Sequence, residues 1–263
     1  MLSNLRQLVR YRGLIQSLVA RELKARYRGS VLGFFWSFIN PLLLLLIYSF
    51  VFTYVLQNRS EGVQPYAVFL FCGLLPWTWF AAALTEAANS LIAGGNLIKK
   101  VLFPAEILPL VSVLANMVHF FLGLPILVAF LIIYRHPPDA IGLLWFPVVV
   151  FVQLLFTSGL GLALAALSVH FRDIRDILTN ILTFWFFATP IIYPMEMAPS
   201  LGRRLLNLNP FTHLAISYQE ILFYPGAFGH WKWLLALGVL SAGLFLAGFW
   251  VFDRLRDSFA EEV

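Results

Sequence analysis

Long apolar runs separated by short polar segments fill almost the whole chain, and this alternation predicts a bundle of membrane helices. From Gly33 to Leu56 no residue carries a formal charge. At about 1.5 Å of rise per residue, that run is long enough to cross a hydrocarbon core of ~30 Å. The later runs predict further spans at about 66–90, 106–134, 142–169, 177–193 and 231–252, six in all. Pro41, Pro76, Pro109 and Pro125 fall within or at the edges of these runs. They predict kinks, which a bundle tolerates because neighbouring helices satisfy the freed carbonyls.

Ahead of the first span the pattern changes period. Leu14, Ile15, Leu18, Val19, Leu23 and Tyr27 recur at three and four residues, with Arg21, Lys24 and Arg28 largely on other faces. This predicts an amphipathic helix lying along the inner leaflet. Gly29, Ser30 and Gly33 supply a bend into the span. The chain is thus expected to divide into an interface region, 1–32, and a transmembrane domain, 33–263. Between 194 and 230 the apolar pieces are too interrupted for a crossing, and a pair of short re-entrant or interfacial helices is expected, with Asn209 and Pro210 at the turn.

Composition sharpens this picture. With 60% hydrophobic and only 12% charged residues, 26 Phe and 8 Trp, the chain has too little polar surface for a water-soluble domain. The net charge of +5 invites a nucleic-acid reading, but the cations flank apolar spans, which points to the inner leaflet and to topology. With the N-terminus inside, only Arg59, Arg135, Arg203, Arg204 and Lys232 of the 18 cations fall outside, so both termini are expected in the cytoplasm. Cys72 is the one cysteine, which excludes an internal disulfide and a cysteine-rich metal site. The first apolar run lacks a small-residue cleavage site and is expected to be retained as a span.

Candidate chemistry is sparse. No HExxH, GxSxG or histidine–cysteine cluster occurs, and no catalytic residue, metal site or cofactor is expected in this chain. His119 is a lone intramembrane histidine of the packing kind. Glu86 lies near the inner end of its span, where snorkelling or pairing with a basic inner loop is favoured over proton transport. The rings of Trp36, Tyr48, Phe52, Trp77, Trp79, Phe80, Trp185, Phe187 and Tyr193 read either as an interfacial belt with lipid-facing residues or as the lining of a tunnel past which sugars slide. The sequence contains no GxxxxGK[ST], so active transport requires a separate motor. Two segments placed inside suit its docking, GGNLIKK at 94–100 and HFRDIRD at 170–176. In the second, Arg172 and Arg175 recur at three, as do Asp173 and Asp176; a solvated loop is the competing reading.

Four stretches carry a specific resemblance: RELKARYRGSVLGFFWSFINPLL at 21–43, NLIKKVLFPAEILPL at 96–110, HFRDIRDIL at 170–178 and LNPFTHLAISYQEILF at 208–223. In this order they resemble the ABC-2 type permease subunits that export lipid-linked polysaccharide, those for O-antigen above all, with capsule and teichoic-acid exporters as relatives. The resemblance implies a homodimer of six-span subunits in the bacterial inner membrane, bound to two cytoplasmic ATPase subunits that hold ATP and Mg. It further implies an interface helix around 14–29 and coupling regions containing Asn96, Lys99, Lys100, His170, Arg172, Asp173, Arg175 and Asp176. The implied substrate is a lipid-pyrophosphate-linked glycan. Arg26 and Arg28, with Arg21 and Lys24, are the expected phosphate contacts at its entrance, and anchoring to anionic membrane lipid is their alternative role. The rival functions are an ABC-2 exporter of small lipids or drugs and a membrane scaffold without transport.

Overall fold

A computed structural model describes residues 10–51, 55, 63–100 and 103–259, with the backbone alone for 98–100. Among the described residues the chain is helical, with no strand. The helices are α1 (Arg12–Arg26), α2 (Trp36–Phe50), α3 (Tyr66–Ala93), α4 (Gly95–Lys100), α5 (Ile107–Ile133), α6 (Ala140–Leu143), α7 (Phe146–His170), α8 (Ile174–Phe187), α9 (Ser200–Leu208), α10 (Pro210–Leu222) and α11 (Trp231–Leu255).

Five segments among the described residues are long and apolar enough to cross a membrane: Gly33–Phe50, Tyr66–Ala93, Ile107–Ile133, Ala140–His170 and Trp231–Ser258. They match five of the six expected spans. The remaining expectation, 177–193, meets α8, whose 14 residues reach about 21 Å, less than a hydrocarbon core. The apolar run continues beyond α8, but Pro190 lacks an N–H and disfavours helix at Thr189, so the backbone turns there.

Helix α3 is the axis of the fold, packed by α5, α7 and α10 and buried along most of its length, Cys72 included. It is apolar on every side, as a helix enclosed by other helices must be. Within the core, the Gln153 amide of α7 donates to the carbonyl of Pro76 at 2.8 Å. Helix α11 crosses α7 closely at Gly159 and Gly248, where the backbones meet without side chains.

Helix α1 packs Leu14, Ile15, Leu18 and Val19 against Ile107 and Val111 of α5. The amphipathic face expected to meet the leaflet is therefore seated on the bundle. The bend between α1 and the first span is made by Gly29 at φ +78° and Gly33 at φ +49°, left-handed positions that favour glycine. Between them Val31 and Leu32 are exposed, and Phe34 and Phe35 continue the bare apolar tip just beyond Gly33.

At the opposite end of the bundle, the interrupted segment folds as the two short helices its pattern predicts, α9 and α10, with Asn209 capping α10 and Pro210 in its first turn. Helix α9 leaves Leu201, Leu205 and Leu208 exposed, whereas α10 buries Phe211, Leu214 and Tyr218.

Candidate functional site

The basic end of the bundle gathers α1, α4 and residues 170–176. Its centre is a closed triangle. Arg26 of α1 forms an ion pair with Glu86 of α3 and donates to the Asn116 amide oxygen of α5 at 3.2 Å. The Asn116 amide nitrogen donates to Glu86 at 2.6 Å and to the Ser112 carbonyl at 2.9 Å. Glu86 is thus paired, but its partner comes from α1 and not from an inner loop as expected. Arg26 is committed within the triangle, while Arg21, Lys24 and Arg28 are exposed and make no ion pair among the described residues.

Next to the triangle, the Tyr27 hydroxyl lies 2.6 Å from the Ser37 hydroxyl and 3.4 Å from His119 Nδ1. These groups line a cavity of about 170 Å³ with Trp36, Asn40 and Trp79. His119 thus packs within the bundle as expected, but it is only half satisfied: its Nε2 is buried and without a protein partner among the described residues.

The two expected docking segments differ in their ties. His170 shares a 2.9 Å hydrogen bond with the Ser258 hydroxyl, and Arg175 donates to the Asn89 amide oxygen of α3 at 3.2 Å. Arg172, Asp173 and Asp176 project into the surroundings, as does Asn96 on α4. The side chains of Lys99 and Lys100 lie outside the described residues.

The nine expected tunnel rings do not share one surface. Trp79 is 2% exposed and Phe80 0%, and Trp77 is also buried. Trp77 and Phe80 pack on Phe211 at 4.9 and 4.6 Å between centroids. Trp79 lies 5.2 Å from Phe120 and donates to the Val113 carbonyl at 3.1 Å. These three rings are buried within the chain's own core, with Trp79 also at the wall of the small cavity beside Tyr27. Trp36 and Tyr48 are half-buried, and Phe52 lies outside the described residues. Trp185 is half-buried and tied to Asn209, Phe187 is exposed, and the Tyr193 hydroxyl donates to the Phe187 carbonyl at 2.9 Å.

Sequence reasoning missed Phe184, which is 75% exposed. Ile177, Ile181, Phe184 and Phe187 form one exposed stripe along α8, and their spacing of three and four was the available signal. With Leu205 and Tyr193 the stripe's far end lines an apolar groove of about 850 Å³.

A second unforeseen cluster stands at the opposite end. His213 Nε2 lies 3.0 Å from the Asn207 carbonyl and must carry the proton there, so its Nδ1 accepts from His230 Nε2 at 3.0 Å. Glu220 accepts from the backbone N–H groups of Gly229 and His230, each at 3.0 Å. Burial pulls the His213 pKa below its usual value, while burial and then the adjacent His213 bring His230 to about 4. Burial also raises Glu220, against the lowering effect of its two backbone donors. No group of three His, Cys, Asp or Glu residues is placed to hold a metal ion among the described residues.

The chain matches known proteins along most of its length. The family profile described as "ABC-2 type transporter" matches residues 13–223. The chain is 42% identical over 265 residues to the O-antigen export system permease protein RfbA of Myxococcus xanthus, covering all of both proteins. It is 33% identical over 248 residues to an O-antigen export system permease protein RfbA of Klebsiella pneumoniae, covering 94% of each. A more distant relative is the polysialic acid transport protein KpsM of Escherichia coli, 21% identical over 221 residues and 81% of each chain. With most of its length matched and full-length relatives at this identity, the chain belongs to the ABC-2 type transporter family.

Proposed function

We propose that this chain is the membrane subunit of an ATP-driven exporter of lipid-linked polysaccharide, with O-antigen as the polymer, in a bacterial inner membrane. The observation that carries this reading is the 42% identity, over all of both chains, to a protein named as an O-antigen export permease. The subunit works as a homodimer with two cytoplasmic ATPase subunits, which supply the nucleotide site that this sequence lacks. Its basic end faces the cytoplasm, in keeping with the distribution of cations, and α8 with the following turn contributes the sixth crossing of the 177–193 expectation. Helices α9 and α10 enter the membrane from the far side without crossing it.

In this reading the exposed Arg21, Lys24 and Arg28 meet the pyrophosphate of the lipid carrier or the phosphates of anionic lipid. Arg26 stands behind them, neutralised by Glu86. Asn96, Lys99, Lys100, His170, Arg172, Asp173, Arg175 and Asp176 form the surface that meets the ATPase. The glycan passes along the exposed rings of Phe184 and Phe187 and the half-buried ring of Trp36. A neutral, aromatic-lined route suits a sugar polymer because rings stack on sugar faces without holding any one unit by charge.

The test is reconstitution of the subunit with its ATPase into vesicles, followed by ATP-dependent movement of a defined lipid-linked glycan. Accumulation of protected glycan that needs both ATP and the permease is expected. A complex that hydrolyses ATP but moves small lipids and no glycan overturns the reading.

A further inference from the structure

We propose that Glu86 and Asn89, one helical turn apart on α3, are positioning residues that fasten the interface helix and the 170–176 segment to a single membrane helix. This inference rests on the export reading above and adds how motion reaches the pathway. Arg26 brings α1 to Glu86, and Arg175 brings the start of α8 to Asn89. Helix α4 continues from α3 across Gly94 alone. All three elements expected to meet the ATPase therefore converge on the same end of α3. A spacing of three places Glu86 and Asn89 close together on the helix surface.

The two ties differ in strength. Arg26 and Glu86 are partly buried at the edge of a membrane span, and Asn116 bonds both. Separating them leaves two partly buried charges short of partners, which disfavours the opened arrangement. The triangle accordingly moves as one body. Arg175 and Asn89 share a single hydrogen bond between one charged and one neutral group at an exposed site, so this contact releases and reforms. Glu86 is a clamp and Asn89 a catch.

Helix α3 carries the displacement onward. Through Trp77 and Phe80 it bears on Phe211 of α10, and its Gly73 sits beside Gln219 of the same helix. A push at the basic end thus reaches the helix pair at the far end without passing through a loop.

The experiment compares the parent complex with Glu86→Gln, Asn89→Ala and the exchanged pair Arg26→Glu with Glu86→Arg, each assembled with its ATPase in vesicles. After a flip the Asn116 amide still offers the exchanged pair a donor and an acceptor, but it gives up its bond to the Ser112 carbonyl. In Glu86→Gln, glycan moved per ATP hydrolysed is expected to fall about tenfold while the complex still assembles, with a smaller fall in Asn89→Ala. The exchanged pair is expected to restore most of the ratio. A parent-like ratio in Glu86→Gln, or an assembled exchanged pair that restores nothing, overturns the proposal. Hydrogen exchange along α3 supplies a readout independent of glycan: its change on ATP addition should be present in the parent and lost in Glu86→Gln. An equal change in both sinks the clamp even if the complex exports some other substrate, whereas an absence of glycan movement in the parent sinks the export reading alone.

Discussion

A β-carbon placed on Gly248 would stand 2.1 Å from the carbonyl oxygen of Gly159, which ties the crossing of α7 and α11 to the absence of side chains at both positions. Lipid gives helices no hydrophobic reason to associate, so close backbone packing at small residues supplies the attraction. The Gly248→Ala subunit is expected to lose about 1–3 kcal/mol, because the helices must move apart. Gly243→Ala on the same helix meets nothing within 4 Å and should unfold at or slightly above the parent temperature. Thermal unfolding in one detergent compares the two.

Asn209 uses all of its amide valences. Its oxygen accepts from the Trp185 indole at 2.6 Å and the Phe211 backbone at 3.0 Å, and its nitrogen donates to the Ala188 carbonyl at 2.8 Å and the Thr189 hydroxyl at 2.9 Å. Asn209→Ala removes a helix cap and strands several partly buried groups, with an expected cost of about 2–4 kcal/mol. Faster proteolysis between α8 and α10, with α3 and α5 still protected, is the measurement.

The histidine pair makes the far end sensitive to acid. His230 is held at about 4 against an ordinary value of 6.5, so between these values the unfolded chain binds more protons than the folded one. The stability that depends on neutral His230 is complete above pH 6.5 and falls as pH drops towards 4. Its neighbour His213 acts in the same direction, while the raised Glu220 opposes it by taking up a proton more readily when folded. The unfolding temperature should decline from pH 7 to pH 5, and His230→Gln should flatten that decline.

Among the apolar contacts of helix α1 with α5, Leu18 is the buried one, set against Ile107 and Val111. A carboxylate at that position has no cationic partner in the contact and favours release of the helix. In Leu18→Asp, trypsin should cleave at Arg21 and Lys24 several times faster than in the parent while the bundle unfolds at nearly the same temperature. Equal cleavage rates would show that α1 is held by other contacts.

The spans were legible because apolar run length is a strong signal, and the turn at Asn209 because asparagine before proline is a local one. Run length says less about where a helix stops. From Trp185 to Tyr193 the residues remain mostly apolar, which hid the stop that Thr189 and Pro190 impose on α8. The burial of Trp77, Trp79 and Phe80 was not legible, since α3 is apolar all round and its composition is the same whether a ring faces lipid, a tunnel or the core. Glu86 announced a need for a cation but not which one, because Arg26 lies 60 residues away and is brought to it only by the docking of α1. His213 and His230, 17 residues apart on either side of the α10 to α11 connection, carry no recognisable spacing.

Cys72 has no exposed surface, enclosed in α3 by the packed bundle. Water-soluble thiol reagents therefore meet an unreactive background in the folded native chain. A single cysteine introduced at Phe184, Leu201 or Arg172 becomes the one addressable thiol, so cross-linking, accessibility and distance measurements can be made without first replacing a native residue.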